Sequence, residues 1–465
     1  MISHSGGASV NRESLSIRGG RVIDTANGTD AIADVLIVDG RIAAVGPDAG
    51  AEAEQSVDAQ GLVVCPGFVD VHCHLREPGF EHKETIASGT AAAARGGFTT
   101  VCAMPNTEPP SDSAATIELV LAMARQHGIV RVLPVGCVTR QRAGRELADM
   151  AELAAAGAVA FSDDGSPVAD AHLMRRALEY AGMLGLPVID HCEEPSLAAG
   201  GVVHEGWVST RLGLRGIPAA GEQAMVARDI ALAEETGAHV HIAHLSAAGS
   251  VELVRRAKAR GAPVTAEVTP HHLTLTHESV MLGPPGAPGR PAADLRTSPA
   301  YDTNAKVNPP LRTEDDIRAC AAGLLDGTID CVATDHAPHA IQDKLCEFDA
   351  AAFGISGLET ALGLCMTLVR DAGARGHAPL TLPTLVERLT IGPVRALGLE
   401  RRIPGLGTLS VGAPGDVALL DPEAEWVVNP GDFVSKGKNT PLAGRTLRGR
   451  VVATVYGGRV VFNGR

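Results

Sequence analysis

Between residues 63 and 338 the chain alternates between two kinds of hydrophobic pattern. Short apolar runs rich in β-branched residues recur at 63–71, 99–103, 130–135, 158–161, 187–190, 239–243, 263–268 and 331–334. Between most of them lie Ala- and Leu-rich stretches with helical spacing, at 84–95, 114–126, 145–156, 171–184, 222–236 and 250–260. Strands alternating with helices imply parallel pairing through right-handed crossovers. Eight such runs over this length predict an α/β fold, a TIM-like (β/α)8 barrel. A doubly wound open sheet is the competing topology, but no GxGxxG follows the first run.

The two ends of the chain differ from the middle and resemble each other. Residues 15–65 read as short strands at 15–18, 21–24, 34–39 and 41–45, with Asp39-Gly40 as a hairpin turn. Residues 405–465 repeat the style at 416–420, 451–456 and 459–462, with Gly457-Gly458 between the last two. Neither end is long enough for a comfortable core of its own. The pattern therefore predicts one small composite β-sandwich from residues 1–62 and 405–465, flanking a catalytic barrel at 63–404. Two separate β modules are the alternative. One segment breaks the rhythm: 283–299 begins Gly-Pro-Pro-Gly-Ala-Pro-Gly-Arg-Pro and follows the seventh run. On a barrel that loop lies on the catalytic face, where long loops serve as lids or are disordered inserts.

Composition narrows the partners. The 465 residues are 45% hydrophobic and 20% charged, which is globular composition. Forty Lys and Arg against 54 Asp and Glu give a net charge of −14. With no basic run, this argues against nucleic acid and anionic membrane as main partners. It leaves room for an anionic substrate, because a local Arg overrides the global charge. No run of 18 apolar residues is present, and residues 1–11 lack an apolar signal core. Nine cysteines without a CxxC pair read as buried small hydrophobes in a reducing cytosol rather than as a disulfide framework. The expected location is cytoplasmic.

The chemistry gathers at the ends of the runs. The first ends Asp70-Val71-His72-Cys73-His74-Leu75-Arg76, and strand alternation puts His72 and His74 on one face. The fourth ends Ser162-Asp163-Asp164-Gly165, the fifth Asp190-His191-Cys192-Glu193, and the sixth His241-Ile242-Ala243-His244. The eighth ends Thr334-Asp335-His336-Ala337-Pro338-His339. A single strand-end His is more often a satisfied polar residue than a ligand. Here five strand ends of eight carry His or Asp. Four imidazoles and two carboxylates meeting at one barrel mouth need a counter-charge, which divalent metal supplies. Six ligands, one carboxylate bridging, suit two metals about 3.5–4 Å apart.

These residues carry a resemblance. The segment from Asp70 to Gly79, Met104-Pro105-Asn106-Thr107, Val307-Asn308-Pro309-Pro310, and Ala333 to His339 with Lys344 are similar to dihydroorotases of the amidohydrolase superfamily. The likeness runs from about Gly20 to Gly464. It implies zinc-dependent, reversible cyclisation of N-carbamoyl-L-aspartate to (S)-dihydroorotate in de novo pyrimidine (UMP) biosynthesis. It also implies two Zn²⁺ per subunit, bridged by a carboxylate and hydroxide. Position by position, His72, His74 and Asp335 would hold the more buried ion and His191 and His244 the second. Many relatives bridge with a carboxylated lysine from the fourth strand, but this chain has no lysine between Lys83 and Lys258. Asp164, beside Gly165, is the expected bridge, and Asp163 a capping group facing the other way. Asp335 would also move the proton between water and the ring nitrogen. Arg76, two residues past His74, would clamp the substrate carboxylate. The resemblance adds His74, Asn106, Asn308, His339 and the Phe353-Gly354 backbone as substrate contacts. It leaves open a homo-oligomer and an aspartate transcarbamoylase partner.

His271 and His272 match no ligand position and are expected to be structural, and His336 to support a ligand from behind. Cys73 stands where an aliphatic residue is usual. Two other readings compete. A different cyclic amidase, a dihydropyrimidinase (hydantoinase) or allantoinase, shares the fold and the HxH, but usually needs the missing lysine. An inactive dihydroorotase-like scaffold for aspartate transcarbamoylase would have lost metal ligands, whereas all six positions are filled.

Overall fold

The computed structural model describes residues 13–50, 53–282, 301–370 and 379–464. The 283–299 insert lies outside the described residues. At the N-terminal end, β1 (Ser14–Asp24), β2 (Thr29–Val38) and β3 (Arg41–Gly46) form an antiparallel meander, and β4 (Gln55–Asp58) and β5 (Val63–Pro66) run parallel to β1. The barrel begins at β6 (Phe68–Cys73), followed by β7 (Phe98–Ala103) and β8 (Arg131–Pro134), all parallel. After β9 (Val188–Asp190), a small ribbon of β10 (Val203–His204) and β11 (Gly216–Ile217) interrupts the order. The barrel then resumes with β12 (Val240–Ile242), β13 (Val264–Val268) and β14 (Cys331–Val332), parallel in the order β14-β13-β12-β9.

Two thinner joints close the ring. Phe161 bridges Gly136 on one side and Val188 on the other, and Cys73 bridges His336. The fourth run, 158–161, is thus a strand without a ladder, although its main chain pairs with both neighbours: Val159 N donates to Pro134 O and Ile189 N to Phe161 O. Helices wrap the outside. Each of those at Ile86–Arg95, Ala171–Leu184 and Glu314–Asp326 is entered through a side chain that accepts from its first turn: Thr85, Asp170 and Thr313. Their apolar faces (Ala92, Ala93, Leu178, Leu324) share one buried cluster with Phe68, Phe98, Phe161, Val188 and Val240 of the strands.

The C-terminal strands β15 (Val417–Val427), β16 (Thr446–Tyr456) and β17 (Arg459–Asn463) return to the first ones. β15 pairs antiparallel with β5, so both termini build one eight-stranded sheet in the order β17-β16-β15-β5-β1-β2-β3, with β4 on β1. Leu15, Ile17, Val35 and Ile37 from one end and Val417, Leu419 and Val455 from the other share a core.

The 63–71 run therefore divides, contrary to its reading as a single barrel strand starting at residue 63. Its first four residues belong to the terminal sheet and only Phe68–Cys73 to the barrel. Gly67 is the hinge. A Cβ there would lie 2.2 Å from Thr99 Oγ1, so only glycine lets the chain pass this close to β7.

Candidate metal centre

At the C-terminal mouth of the barrel His72 and His74 point the same way. Their Nε2 atoms lie 3.6 and 3.1 Å from Asp335 Oδ1. Asp164 reaches in between: Oδ1 is 3.2 Å from His72 Nε2, and Oδ2 is 3.4 Å from His74 Nε2. The same Oδ1 is 3.7 Å from both His191 Nδ1 and His244 Nε2, which face each other at 2.9 Å. Six side chains from five strand ends thus converge, and all six are buried. Asp163 turns away and accepts from Val138 N, Thr139 N and the Thr139 hydroxyl.

Backbone geometry is unusual at this mouth. Arg76 (φ 61°), His244 (φ 31°) and Asp335 (φ 43°) adopt left-handed conformations that non-glycine residues seldom take. For Arg76 this replaces the expected alternation. The strand has already ended at Cys73, and a left-handed turn, not period two, brings the guanidinium over the site.

Burial alone would push the Asp164 and Asp335 carboxyls up. The surrounding imidazoles outweigh it and hold both well below the usual carboxylate range. Burial opposes a proton on His72, yet Asp164 and Glu267 together hold its affinity well above normal. His74, desolvated and close to Arg76, is lowered. His72 Nε2 and Asp164 Oδ1 are buried and make no hydrogen bond. Carboxylates drawing a proton onto an imidazole, around two unpartnered donor atoms, are the conditions a divalent cation satisfies. Two overlapping groups have the spacing to hold one: His72, Asp164 and His244, and His72, His74 and Asp335. The nitrogen and oxygen donor set suits zinc. A third cluster, Asp190, Cys192 and Asp229, is already answered by Arg228, whose guanidinium lies 2.6 Å from Asp229 and 3.5 Å from Asp190.

Beside this centre lies a cavity of about 220 Å³, lined by Arg76, Asn106, Asn308, His339, Phe353 and Gly354. Burial lowers Arg76 to about 10, against the pull of Asp335 and Asp164, so it remains a cation. Its Nε donates to Pro338 O at 3.3 Å. Asn106 Oδ1 holds His74 Nδ1 at 2.8 Å. Asn308 Nδ2 donates to Glu193 at 2.8 Å. The Gly354 N–H is already committed to Lys306 O at 2.9 Å. The Phe353-Gly354 backbone still lines the cavity, as expected of a segment that pairs with the ring edge.

Two carboxylates escaped the sequence reading. Glu267, inside β13 and fully buried, takes His72 Nδ1 at 2.6 Å and His241 Nε2 at 3.1 Å. It fixes the His72 tautomer so that Nε2 faces the centre. The signal was present: a lone Glu in an apolar strand, in phase with Thr265. Asp70 accepts from the backbone and hydroxyl of Thr334, tying the first run to the eighth. His272 donates to Pro309 O at 2.9 Å and so steadies the segment that carries Asn308. His336 sits behind the site against Glu84. We expect Glu267→Gln to weaken metal affinity by about 10- to 100-fold, measured by competition with a chromophoric chelator. Unchanged affinity would remove Glu267 from the support of His72.

A sequence model described as Dihydro-orotase-like matches residues 61–250. The Dihydroorotase of Pelotomaculum thermopropionicum is 52% identical over 451 residues, covering 97% of this chain and 99% of that one. The Dihydroorotase of Anaeromyxobacter sp. (strain K) is 53% identical over 448 residues, covering 96% and 97%. Among solved structures, the L-hydantoinase (dihydropyrimidinase) of Arthrobacter aurescens superposes with a TM-score of 0.81 at 25% identity, over 97% of this chain and 96% of that one. The barrel, its mouth of imidazoles and carboxylates, and half-identity along the whole length agree: this chain belongs to the dihydroorotase family.

Proposed function

We propose that this chain catalyses the reversible cyclisation of N-carbamoyl-L-aspartate to (S)-dihydroorotate, a step of de novo pyrimidine biosynthesis. The observation that carries the reading is the buried centre of six ligands set directly beside Arg76, a half-buried cation without a carboxylate partner among its hydrogen bonds. In this reading His72, His74 and Asp335 would hold one of two zinc ions per chain and His191 and His244 the other, and Asp164 would serve both. When bound, they lower the pKa of water and polarise the carbonyl under attack.

The protein's own groups do the rest. Arg76 binds the α-carboxylate and orients the ring. Asp335 uses the oxygen turned from His74 to take the proton of the attacking water and give it to the ring nitrogen. In the synthetic direction the proton moves the other way. Asn106 keeps His74 Nε2 aimed inward, and Asn308 and His339 close the cavity. The barrel carries every one of these residues, so residues 63–404 form the catalytic unit, the seam β5 excepted, and 1–62 with 405–465 the accessory one. Partners in this reading are the small-molecule substrate, further copies of the chain and an aspartate transcarbamoylase. The setting is cytoplasmic, in keeping with nine free cysteines, of which only Cys346 is exposed. Among the described residues no helix is long and apolar enough to cross a membrane.

The test is metal analysis of purified protein beside assays in both directions. Reconstitution of metal-stripped protein with zinc in carbonate-free buffer should restore full activity, because residues 84–257 contain no lysine to carboxylate. A need for added bicarbonate would displace Asp164 as the bridge. Metal-replete protein that turns over neither substrate would end the functional reading.

A further inference from the structure

Lys344, the last residue of the eighth-strand motif, is used by none of the chemistry above. It is buried, and so is Lys306. The Lys344 ammonium donates to three main-chain carbonyls: Thr303 at 3.0 Å, Lys306 at 3.1 Å and Ala352 at 2.6 Å. Lys306 donates to Phe348 O and Asp349 O at 2.8 and 3.0 Å, and lies over the Phe353 ring at 4.5 Å. Among the described residues neither ammonium forms an ion pair. Two buried cations therefore join backbone to backbone instead of charge to charge.

What they join is one wall of the substrate cavity. The Lys306 carbonyl receives both the Lys344 ammonium and the Gly354 N–H. Two residues on from Lys306 stands Asn308. On the other side, Ala352 is followed by Phe353 and Gly354, whose φ of 144° and close approach to Ala337 O exclude a side chain. Phe353 O in turn accepts from His339 Nε2 at 2.8 Å. Asn308, His339 and the Phe353-Gly354 backbone come from three separate segments, and the lysine pair ties the first to the last.

We propose that Lys344 is a positioning residue: its buried ammonium fastens the 352–354 segment to the 303–308 segment and so sets the shape of the substrate wall, with Lys306 completing the clasp. The proposal rests on the functional reading above for its kinetic consequence, but the fastening itself does not depend on it. Methionine at 344 keeps the length of the side chain and removes all three donors. A wall no longer pinned fits the substrate less well in the ground and transition states alike, which appears in KM.

Lys344→Met is expected to raise KM for dihydroorotate about 10- to 100-fold, with kcat within about threefold and metal content unchanged. Amide exchange should speed up at Gly354 and its neighbours but not in β6 or β13. An unchanged KM in folded, metal-replete protein overturns the proposal, and so does a kcat loss that tracks metal loss. If Lys344→Met does not fold, Thr303→Val decides. The Thr303 hydroxyl donates to Lys344 O at 2.6 Å, and its loss should move KM the same way by about two- to fivefold; no shift overturns the fastening. If the wild-type chain turns over neither substrate, the functional reading fails and exchange alone decides: unchanged protection at Gly354 in Lys344→Met then refutes the clasp.

Discussion

An Asp335→Asn variant is expected to lose roughly 10²- to 10⁴-fold in turnover in both directions, while metal content falls much less. The amide still offers an oxygen where Asp335 Oδ1 lies 3.1 Å from His74 Nε2. It cannot carry a proton at neutral pH. Cyclisation and hydrolysis pass through one transition state, so a missing proton carrier slows both equally. The neighbouring acids give the contrast. Asp163 binds Val138 N at 2.9 Å and Thr139 N at 3.0 Å, away from the centre. Asp163→Asn should therefore keep its metal and cost stability instead, on the order of 1–3 kcal/mol. Asp164→Asn should lose metal outright. Zinc content and kcat measured on the three variants separate the roles. An Asp335→Asn enzyme that stays active with full metal would refute the proton transfer.

The second large effect is expected at Arg76. Replacing it by Met removes a half-buried guanidinium that lines the cavity and would leave the substrate carboxylate without its proposed partner. Truncating one side of a buried charge pair costs about 2–4 kcal/mol, or roughly 30- to 1,000-fold in kcat/KM. The loss should be specific to substrates with a carboxylate on the ring: a neutral cyclic imide, already poor, should lose little. Equal losses on both would mean that Arg76 holds Pro338 and His339 in place and does not bind the carboxylate. That alternative has a structural footing, since Arg76 already touches both residues.

The barrel was readable because polar residues inside apolar strands are costly and conspicuous. His72, His74, His191, His244 and Asp335 stood at the ends of β-branched runs, and those ends do meet at one mouth. What sequence could not resolve was set by distant neighbours. Val63–Pro66 looks like the start of a barrel strand until Gly67 is seen to slip past Thr99. Residues 158–161 have strand composition, yet only Phe161 meets neighbours on both sides closely enough to bridge. Glu267 reads as a stray charge because its partners His72 and His241 are 195 and 26 residues away. Arg76 reached the cavity, but through a left-handed turn that no hydrophobic period encodes. Gly354 was legible as a residue near the site. Its N–H was not, because its acceptor on Lys306 belongs to another segment.

The seam at β5 also bears on how the chain is made. β5 has β1 on one edge and β15 on the other. About 350 residues separate Pro66 from Val417 along the chain. At about 5–20 residues per second of synthesis, the β15 side of that strand stays open for roughly 20–70 s on the ribosome. An open apolar edge invites pairing with another nascent chain. The four residues of β5, all buried in the finished protein, are thus an edge that a chaperone would have reason to shield. A message truncated before residue 417 would release a barrel whose N-terminal sheet lacks its last three strands.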